Sequence, residues 1–354
     1  MKHYGGIFRA WVTLGAAGFA LGCSAQTDEN FVAFVGAKLI DGTGATPIEN
    51  AVLIVQAGRV VAVGAGGKLT VPEGATVVAV AGKVIMPGLI NGHGHVGATE
   101  GLSGGRYSRE NVQRDLALNA RYGVTTVLSL GGDGLPSIEM RGAQNSADLS
   151  RSRLFVAGDV VTGKAPKEAV AMVDYNIGVS VDYIKLKVDG EAGSPQRMVP
   201  AVFQAVIRRA HAVGYPVAAH LFYLEDARAL VAAGVDLIAH SIRDQVVDDA
   251  FIAQMKQGGV GYCPTLMRDV STFVYESEPA FFSEPFFTLE VDDAVLDELR
   301  NPVQQQKVRR NPTAQANKEA LRVALLNLKK ISRCGGADCD GHGRGPARPV
   351  PRLL

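Results

Sequence analysis

The sequence predicts an α/β protein in which a small N-terminal β-domain precedes a (β/α)8 barrel of the TIM type that lacks its eighth strand. Three observations support this prediction: strand-like runs separated by turns up to residue 86, apolar runs alternating with helical segments after Pro87, and a C-terminal tail without strand or helix character. The 354 residues are 47% hydrophobic and 20% charged, so the chain can bury a core.

The N-terminal segment has the features of an export signal. Lys2 and Arg9 precede an apolar run over residues 10–21, followed by small residues. We expect a signal peptide over residues 1–22, a linker over 23–30, and a periplasmic or secreted protein. The small residues before Cys23 resemble a bacterial lipobox, so a lipoprotein anchored through Cys23 is the alternative. A buried first helix is the structural alternative.

Residues 31–86 are expected to form the β-domain. Runs rich in β-branched residues occur at 31–35, 51–55, 59–63, 76–81 and 84–86, and turn signals such as Asp41-Gly42 separate them.

The barrel is predicted over residues 87–332. We take residues 85–90 as its first strand, and six more apolar runs follow, at 125–130, 153–158, 182–188, 216–221, 236–241 and 261–266. Helical stretches lie between them, for example 200–213 and 224–233, each closed by a glycine. Apolar strands that alternate with helices indicate a parallel sheet covered on both faces. A doubly wound open sheet is the alternative, but no Gly-x-Gly-x-x-Gly opens any helix.

After the seventh strand, a polar insertion from residue 273 ends in an amphipathic helix over 314–331. The tail, residues 333–354, is rich in Gly, Cys, Arg and Pro and is expected to be disordered.

Four of the seven histidines follow apolar strands. His93 and His95 are two residues apart, which in an extended segment places both side chains on one face, whereas His220 and His240 each end a strand. In a parallel barrel these ends meet at one mouth, where imidazoles can bind a metal ion. Each histidine alone is better explained as a satisfied polar residue, but the four share one topological position. His3, His211 and His342 do not lie at the end of a predicted strand.

Lys185 lies in the middle of the apolar strand 182–188. A buried ammonium group is costly unless it is paired, so an inward-facing Lys185 requires partners. The alternative is that Lys185 and Lys187 both point to the helix-covered or solvated side.

Residues 84–95, VIMPGLINGHGH, resemble the first-strand signature of the metal-dependent amidohydrolase superfamily, with Asn91 in place of the usual Asp. The resemblance extends over about residues 31–331 and is greatest to prolidase-like and imidazolonepropionase-like members. It implies that His93 and His95 bind the more buried of two divalent metal ions, expected to be zinc, and that His220 and His240 bind the other. Lys185 would be carboxylated and bridge both ions.

The resemblance implies hydrolysis of an amide-type carbon–nitrogen bond in a small molecule, such as a cyclic amide, an N-acyl amino acid or an Xaa-Pro dipeptide. Two alternatives stay open: an exported metal- or ligand-binding barrel with impaired catalysis, and a phosphotriesterase-like hydrolase. The net charge of +1 favours no nucleic-acid partner. A membrane contact is expected only through Cys23, and homo-oligomer formation is left open. Arg268 is a candidate carboxylate clamp or a structural ion-pair partner.

The family's catalytic Asp at the end of strand eight has no equivalent, so no catalytic residue is assigned. The codons of residues 332–346 can be chosen so that a shifted frame reads ADAGVRIAMGTDAG, which has the helix exit, apolar strand and Gly-Thr-Asp ending of strand eight. A frameshift after Ile331 is therefore our hypothesis, and a natural divergent terminus is the alternative.

We predict that a frame-corrected chain is more soluble, binds more metal and hydrolyses its substrate faster than the chain as written, because an incomplete barrel leaves two strand edges unpaired. Resequencing the DNA and comparing soluble yield, bound metal and hydrolysis of the two proteins tests this. Codons that cannot encode the strand, or equal hydrolytic activity, would refute it.

Overall fold

A computed structural model describes residues 30–146, 148–189 and 197–335 of the chain. The expected signal peptide, the candidate anchor Cys23 and the linker before Asn30 lie outside the described residues, as does the expected tail from residue 336 on. Residues 333–335, expected to belong to that tail, instead continue the last described helix, Pro312–Gly335. No helix in the described ranges is long and apolar enough to cross a membrane. The chain divides into two compact units after Pro87.

The described part of the first unit is a five-stranded sheet built around a central strand. Its strands are β1 (Val32–Leu39), β2 (Ile48–Gln56), β3 (Arg59–Ala65), β4 (Thr76–Ala79) and β5 (Val84–Ile85). β1 pairs antiparallel with β2, which pairs antiparallel with β3, and β1 also pairs in parallel with β4 and β5. Alternation along the strands buries Ala33, Val52 and Ile54 as a small core.

In the described part of the second unit, strands alternate with helices. The strands are β6 (Leu89–Gly94), β7 (Thr99–Glu100), β8 (Ser103–Gly104), β9 (Val124–Ser129), β10 (Arg153–Val156), β11 (Ile184–Lys187), β12 (Val217–His220), β13 (Leu237–Ala239) and β14 (Gly261–Cys263). The helices are α1 (Arg109–Arg121), α2 (Leu135–Gly142), α3 (Pro166–Gly178), α4 (Pro200–Ala212), α5 (Leu224–Ala233), α6 (Asp249–Gly258), α7 (Leu266–Ser271), α8 (Pro285–Thr288), α9 (Asp293–Arg300), α10 (Pro302–Arg310) and α11 (Pro312–Gly335). Short 3-10 turns lie at Val274–Glu276 and Ala280–Ser283.

Local chemistry explains several of these boundaries. The Ser108 side chain accepts a hydrogen bond from the Asn111 amide and caps the start of α1. Gly234 ends α5 with a φ of 90°, a left-handed conformation that glycine adopts without a steric penalty. The glycine expected to close this helix therefore does so.

The parallel strands follow one another in space in the same order as in the sequence. One sheet has the order β10-β9-β6 and another has the order β11-β12-β13-β14, and all of these pairings are parallel. A parallel bridge between Val161, which follows β10, and Leu186 joins the two sheets. The mixed α/β class is confirmed, whereas closure of these strands into a barrel stays a prediction.

The first parallel strand of the second unit, β6, begins later than the sequence predicted. Ile85 belongs to β5 in the first unit, and β6 starts at Leu89. Pro87 has no amide hydrogen to donate to a sheet ladder, so the apolar run 85–90 is divided between two strands. As a consequence, His93 lies inside β6 rather than beyond its end.

Side chains on the parallel strands alternate between two faces. Those of one face pack beneath the helices in the main core, including Val127, Ile184, Leu186, Ala219 and Ile238. Those of the other face, which we call the inner face, form a smaller cluster made of Leu128, Leu130, Ala157, Tyr183, Ala218 and Ala239. This alternation places Lys185 and His220 on the inner face.

Candidate metal centre

Strand alternation directs Lys185 to the inner face. It lies between Ile184 and Leu186, which face the helices, and its register partner on β12 is Ala218 of the inner face. The Lys185 side chain is buried, with 2% of the residue exposed, and its Nζ lies 3.1 Å from Nε2 of His93. The alternative in which this lysine points to the helices or to solvent is therefore wrong.

His93 and His95 converge at the end of β6. Their Nε2 atoms are 3.2 Å apart. The backbone carbonyl of Gly131 accepts a hydrogen bond from His95 Nδ1 at 2.9 Å. Because a carbonyl can only accept, this contact assigns the proton of neutral His95 to Nδ1 and leaves a lone pair on Nε2. The Asn91 side chain accepts a hydrogen bond from the His93 amide at 3.1 Å.

His220 and His240 complete the cluster. The ring centroid of His240 lies 4.5 Å from that of His93 and 4.3 Å from that of His220. His240 directly follows Ala239, the last residue of β13, and its ring joins the other imidazoles on the inner face. Nδ1 of His240 lies 2.7 Å from the Thr265 hydroxyl, and Nε2 of His220 lies 3.6 Å from Asp189.

Lowered pKa values favour the neutral form of all four imidazoles at pH 7. Desolvation, reinforced by Lys185 and His95, lowers the pKa of His93 to about 2. Desolvation also lowers the pKa of His95, which keeps solvent contact, and of His220 and His240. The charge of Lys185 contributes to the lowered pKa of all four rings, and burial in turn lowers the pKa of Lys185 to about 7. Neutral imidazoles are the form that binds metal ions.

The donor chemistry fits a divalent metal ion. Two nitrogens bound tetrahedrally to one zinc ion at about 2.0–2.1 Å lie roughly 3.3–3.4 Å apart, close to the separation of the His93 and His95 Nε2 atoms. Two buried imidazole nitrogens, His93 Nδ1 and His220 Nε2, have no hydrogen-bond partner. Within the described ranges, however, no three His, Cys, Asp or Glu side chains are already arranged to hold an ion. The structure thus brings all five predicted residues together without forming a complete coordination shell.

The remaining predicted candidates lie elsewhere or have structural partners. His211 pairs with Asp236 at 2.7 Å, whereas His3 and His342 lie outside the described residues. Arg268 lies 3.4 Å from the fully buried Asp269 and electrostatically lowers the pKa of His93. The ion pair is thus observed, and binding of a substrate carboxylate by Arg268 stays a prediction.

Sequence reasoning missed several residues around the cluster. Cys263 ends β14 on the inner face, in register with Ala239, and a Cβ atom on Gly92 would lie 3.9 Å from its Sγ. Asp133 and Asp189 follow the ends of β9 and β11, and both are buried. All three are polar residues at or a few residues beyond the end of an apolar strand. This position is the sequence signal that could have nominated them, but it does not show that they lie near the cluster.

Comparisons with known proteins find solved structures that share the fold of this chain. A Bifidobacterium longum protein designated a prolidase has a TM-score of 0.66 and 22% identity, covering 87% of this chain and 72% of that one. A Xaa-Pro dipeptidase with bound methionine has a TM-score of 0.61 and 20% identity, covering 86% and 89%. Phenylurea hydrolase B has a TM-score of 0.60 and 22% identity, covering 85% and 87%.

No protein-family profile matches the chain. Uncharacterized proteins of Mycobacterium bovis and Mycobacterium tuberculosis are 27% identical over 198 residues, which is 52% of this chain and 51% of theirs. The chain therefore spans about half the length of the curated relatives it matches.

The buried carboxyl of Asp133 gives a pH prediction. Burial raises its pKa from 3.8 to about 6, although Ser129 and backbone amides act in the opposite direction. The folded protein thus holds this proton more tightly than the unfolded chain, and the stabilisation is fully present below pH 4 and is lost as the pH rises through about 6. We predict that the stability difference between wild type and Asp133→Asn changes by on the order of 3 kcal/mol between about pH 4 and pH 7, with the wild type relatively weaker at pH 7.

Urea unfolding at both pH values measures this difference, and Asp159→Asn, at an exposed position nearby, is the matched control. A difference that does not change with pH would contradict the assigned burial of Asp133.

Proposed function

We propose that this chain is an exported metal-dependent hydrolase that cleaves amide-type carbon–nitrogen bonds of a small molecule with an activated water. The convergence of four neutral imidazoles on the buried Lys185 carries the proposal. The fold shared with a prolidase, a Xaa-Pro dipeptidase and a phenylurea hydrolase supports it. Cyclic amides, N-acyl amino acids and Xaa-Pro dipeptides are the substrate classes to test first.

The proposed centre holds two zinc ions, one at His93 and His95 and the other at His220 and His240. When bound, the ions supply a hydroxide at neutral pH and polarise the substrate carbonyl. Lys185 reaches both imidazole pairs electrostatically, which supports its role as the bridge. In its neutral form the Lys185 amine would add to dissolved CO2: a nitrogen–carbon bond forms, one carbon–oxygen π bond breaks to give a carboxylate oxygen, and the nitrogen loses a proton to solvent. The resulting carbamate replaces a buried cation with an anion.

We further propose that the seven parallel strands of the described second unit form a (β/α)8 barrel without its eighth strand. Cys263 on β14 approaches Gly92 on β6, which supports curvature of the two sheets toward each other. The general base that the family places on strand eight is unassigned, and the tail in which it would lie is outside the described residues.

A second candidate is an exported barrel that binds metal or ligand without turnover. It is favoured by the lack, among the described residues, of an assigned general base beside the imidazoles. Metal binding without hydrolysis of any substrate would support it.

The test combines metal analysis with a substrate panel. We expect about two zinc ions per chain, and His93→Asn should remove at least one of them and reduce hydrolysis at least about a hundredfold, because a ligand of the activating ion is lost. His211→Asn is the matched control, since His211 pairs with Asp236 on the helix side. A metal-free wild-type protein, or a His93→Asn variant of normal activity, would contradict the proposal. A phosphotriester included in the panel tests the phosphotriesterase-like alternative.

Cys263 provides a second test that needs no turnover. Because its thiol shares the inner face with Lys185, bound zinc should slow its alkylation several-fold relative to the metal-free protein. Peptide mapping by mass spectrometry after timed iodoacetamide treatment measures the rate at this residue. Equal rates with and without zinc would place the metal elsewhere.

A further inference from the structure

We propose that Asp133 is a positioning residue of the metal centre: it holds the Gly131 carbonyl in place, and that carbonyl keeps the Nε2 lone pair of His95 directed at the metal. The inference rests on the proposed metal-dependent function. It assigns a role to a buried carboxylate that does not itself touch an imidazole.

Asp133 ties the turn after β9 to the turn after β10. Its Oδ2 accepts hydrogen bonds from the amides of Ala157 at 2.9 Å and Gly158 at 3.2 Å. In the reverse direction, the Gly158 carbonyl accepts from the amides of Gly132 at 2.9 Å and Asp133 at 3.3 Å. Four hydrogen bonds therefore clamp the two turns together, and Asp133 is 5% exposed.

The clamped turn has a conformation that few residues can adopt. Gly131 has a φ of 117°, and a Cβ atom there would lie 2.3 Å from Cγ2 of Val160. Gly131 is thus confined by the segment to which Asp133 is bonded. The carbonyl that accepts from His95 belongs to the same constrained residue, so its direction depends on the clamp.

The same segment continues to Lys185. Three residues beyond Gly158, the Val161 amide donates to the Lys185 carbonyl at 2.8 Å, and the Lys187 amide donates to the Val161 carbonyl at 3.1 Å. Residues 157–161 therefore connect the support of His95 with the strand that carries Lys185. Loss of the Asp133 carboxylate would therefore loosen the connection between the turn that supports His95 and the strand that carries Lys185.

The chemical consequence concerns the proton on His95. A neutral imidazole carries its proton on either ring nitrogen, and only the Nδ1–H form leaves Nε2 free to bind metal. The Gly131 carbonyl selects that form. Partners that orient a ligating histidine typically contribute 10–100-fold to metal affinity, so we expect a loss in that range when the carbonyl is released.

The experiment reads the His95 tautomer directly. In metal-free protein labelled with 15N-histidine, with His95 assigned by comparison with His95→Gln, we expect the proton on Nδ1. In Asp133→Ala we expect a mixture of the two tautomers and a 10–100-fold loss of zinc affinity, measured by chelator competition. Asp133→Asn should restore both properties, because its amide oxygen can accept from the Ala157 and Gly158 amides as Oδ2 does.

Asp159→Ala, which removes an exposed carboxylate two residues from Ala157, is the matched control and should change neither property. If Asp133→Ala fails to fold, Asp133→Ser replaces it. A wild-type His95 that carries its proton on Nε2, or an alanine or serine variant with unchanged tautomer and zinc affinity, overturns the inference. The tautomer is read without metal or substrate, so a wild-type protein that retains Nδ1–H but does not hydrolyse the panel would contradict the proposed function alone.

Discussion

The candidate centre depends on the burial of Lys185 among four histidines. An ammonium group with 2% exposure is costly in a protein interior unless partners compensate, and here the nearest partner is an imidazole nitrogen at 3.1 Å. Desolvation acts in the same direction on the lysine and on the histidines, because it disfavours every protonated form. The result is a compact set of neutral nitrogen donors around one amine. Such a set is unfavourable as a purely structural core, but it is suitable for binding a metal ion.

Backbone geometry brings these groups together more than side-chain flexibility does. Lys185 and His220 face inward because strand alternation and parallel register place them on the inner face. His93 and His95 share a side because they are two residues apart, whereas His240 lies in the turn that follows β13. The Gly131 carbonyl, which accepts from His95, and the Thr265 hydroxyl, which lies beside His240, stand in turns that follow neighbouring strands. The site is therefore a property of the ordered carboxyl ends of the sheet.

The comparisons and the geometry support the proposal at different levels. Solved structures at 20–22% identity share the fold, and this similarity supports the proposal at the level of architecture alone. The choice of metal and substrate depends instead on individual side chains. Cys263 and Arg268 line or approach the cluster in this chain and are the residues from which specificity is best investigated.

The sequence by itself determined the α/β class, the positions of most strands and helices, and the five residues that gather at the site. These follow from local periodicity and from the rule that parallel strands end at one edge. Only the tertiary structure decided that Lys185 faces inward, that Asp133 and Cys263 lie near the cluster, and that the first parallel strand starts at Leu89. The physical reason is that burial, register and hydrogen bonding between turns join residues far apart in the chain, and no local pattern encodes those contacts.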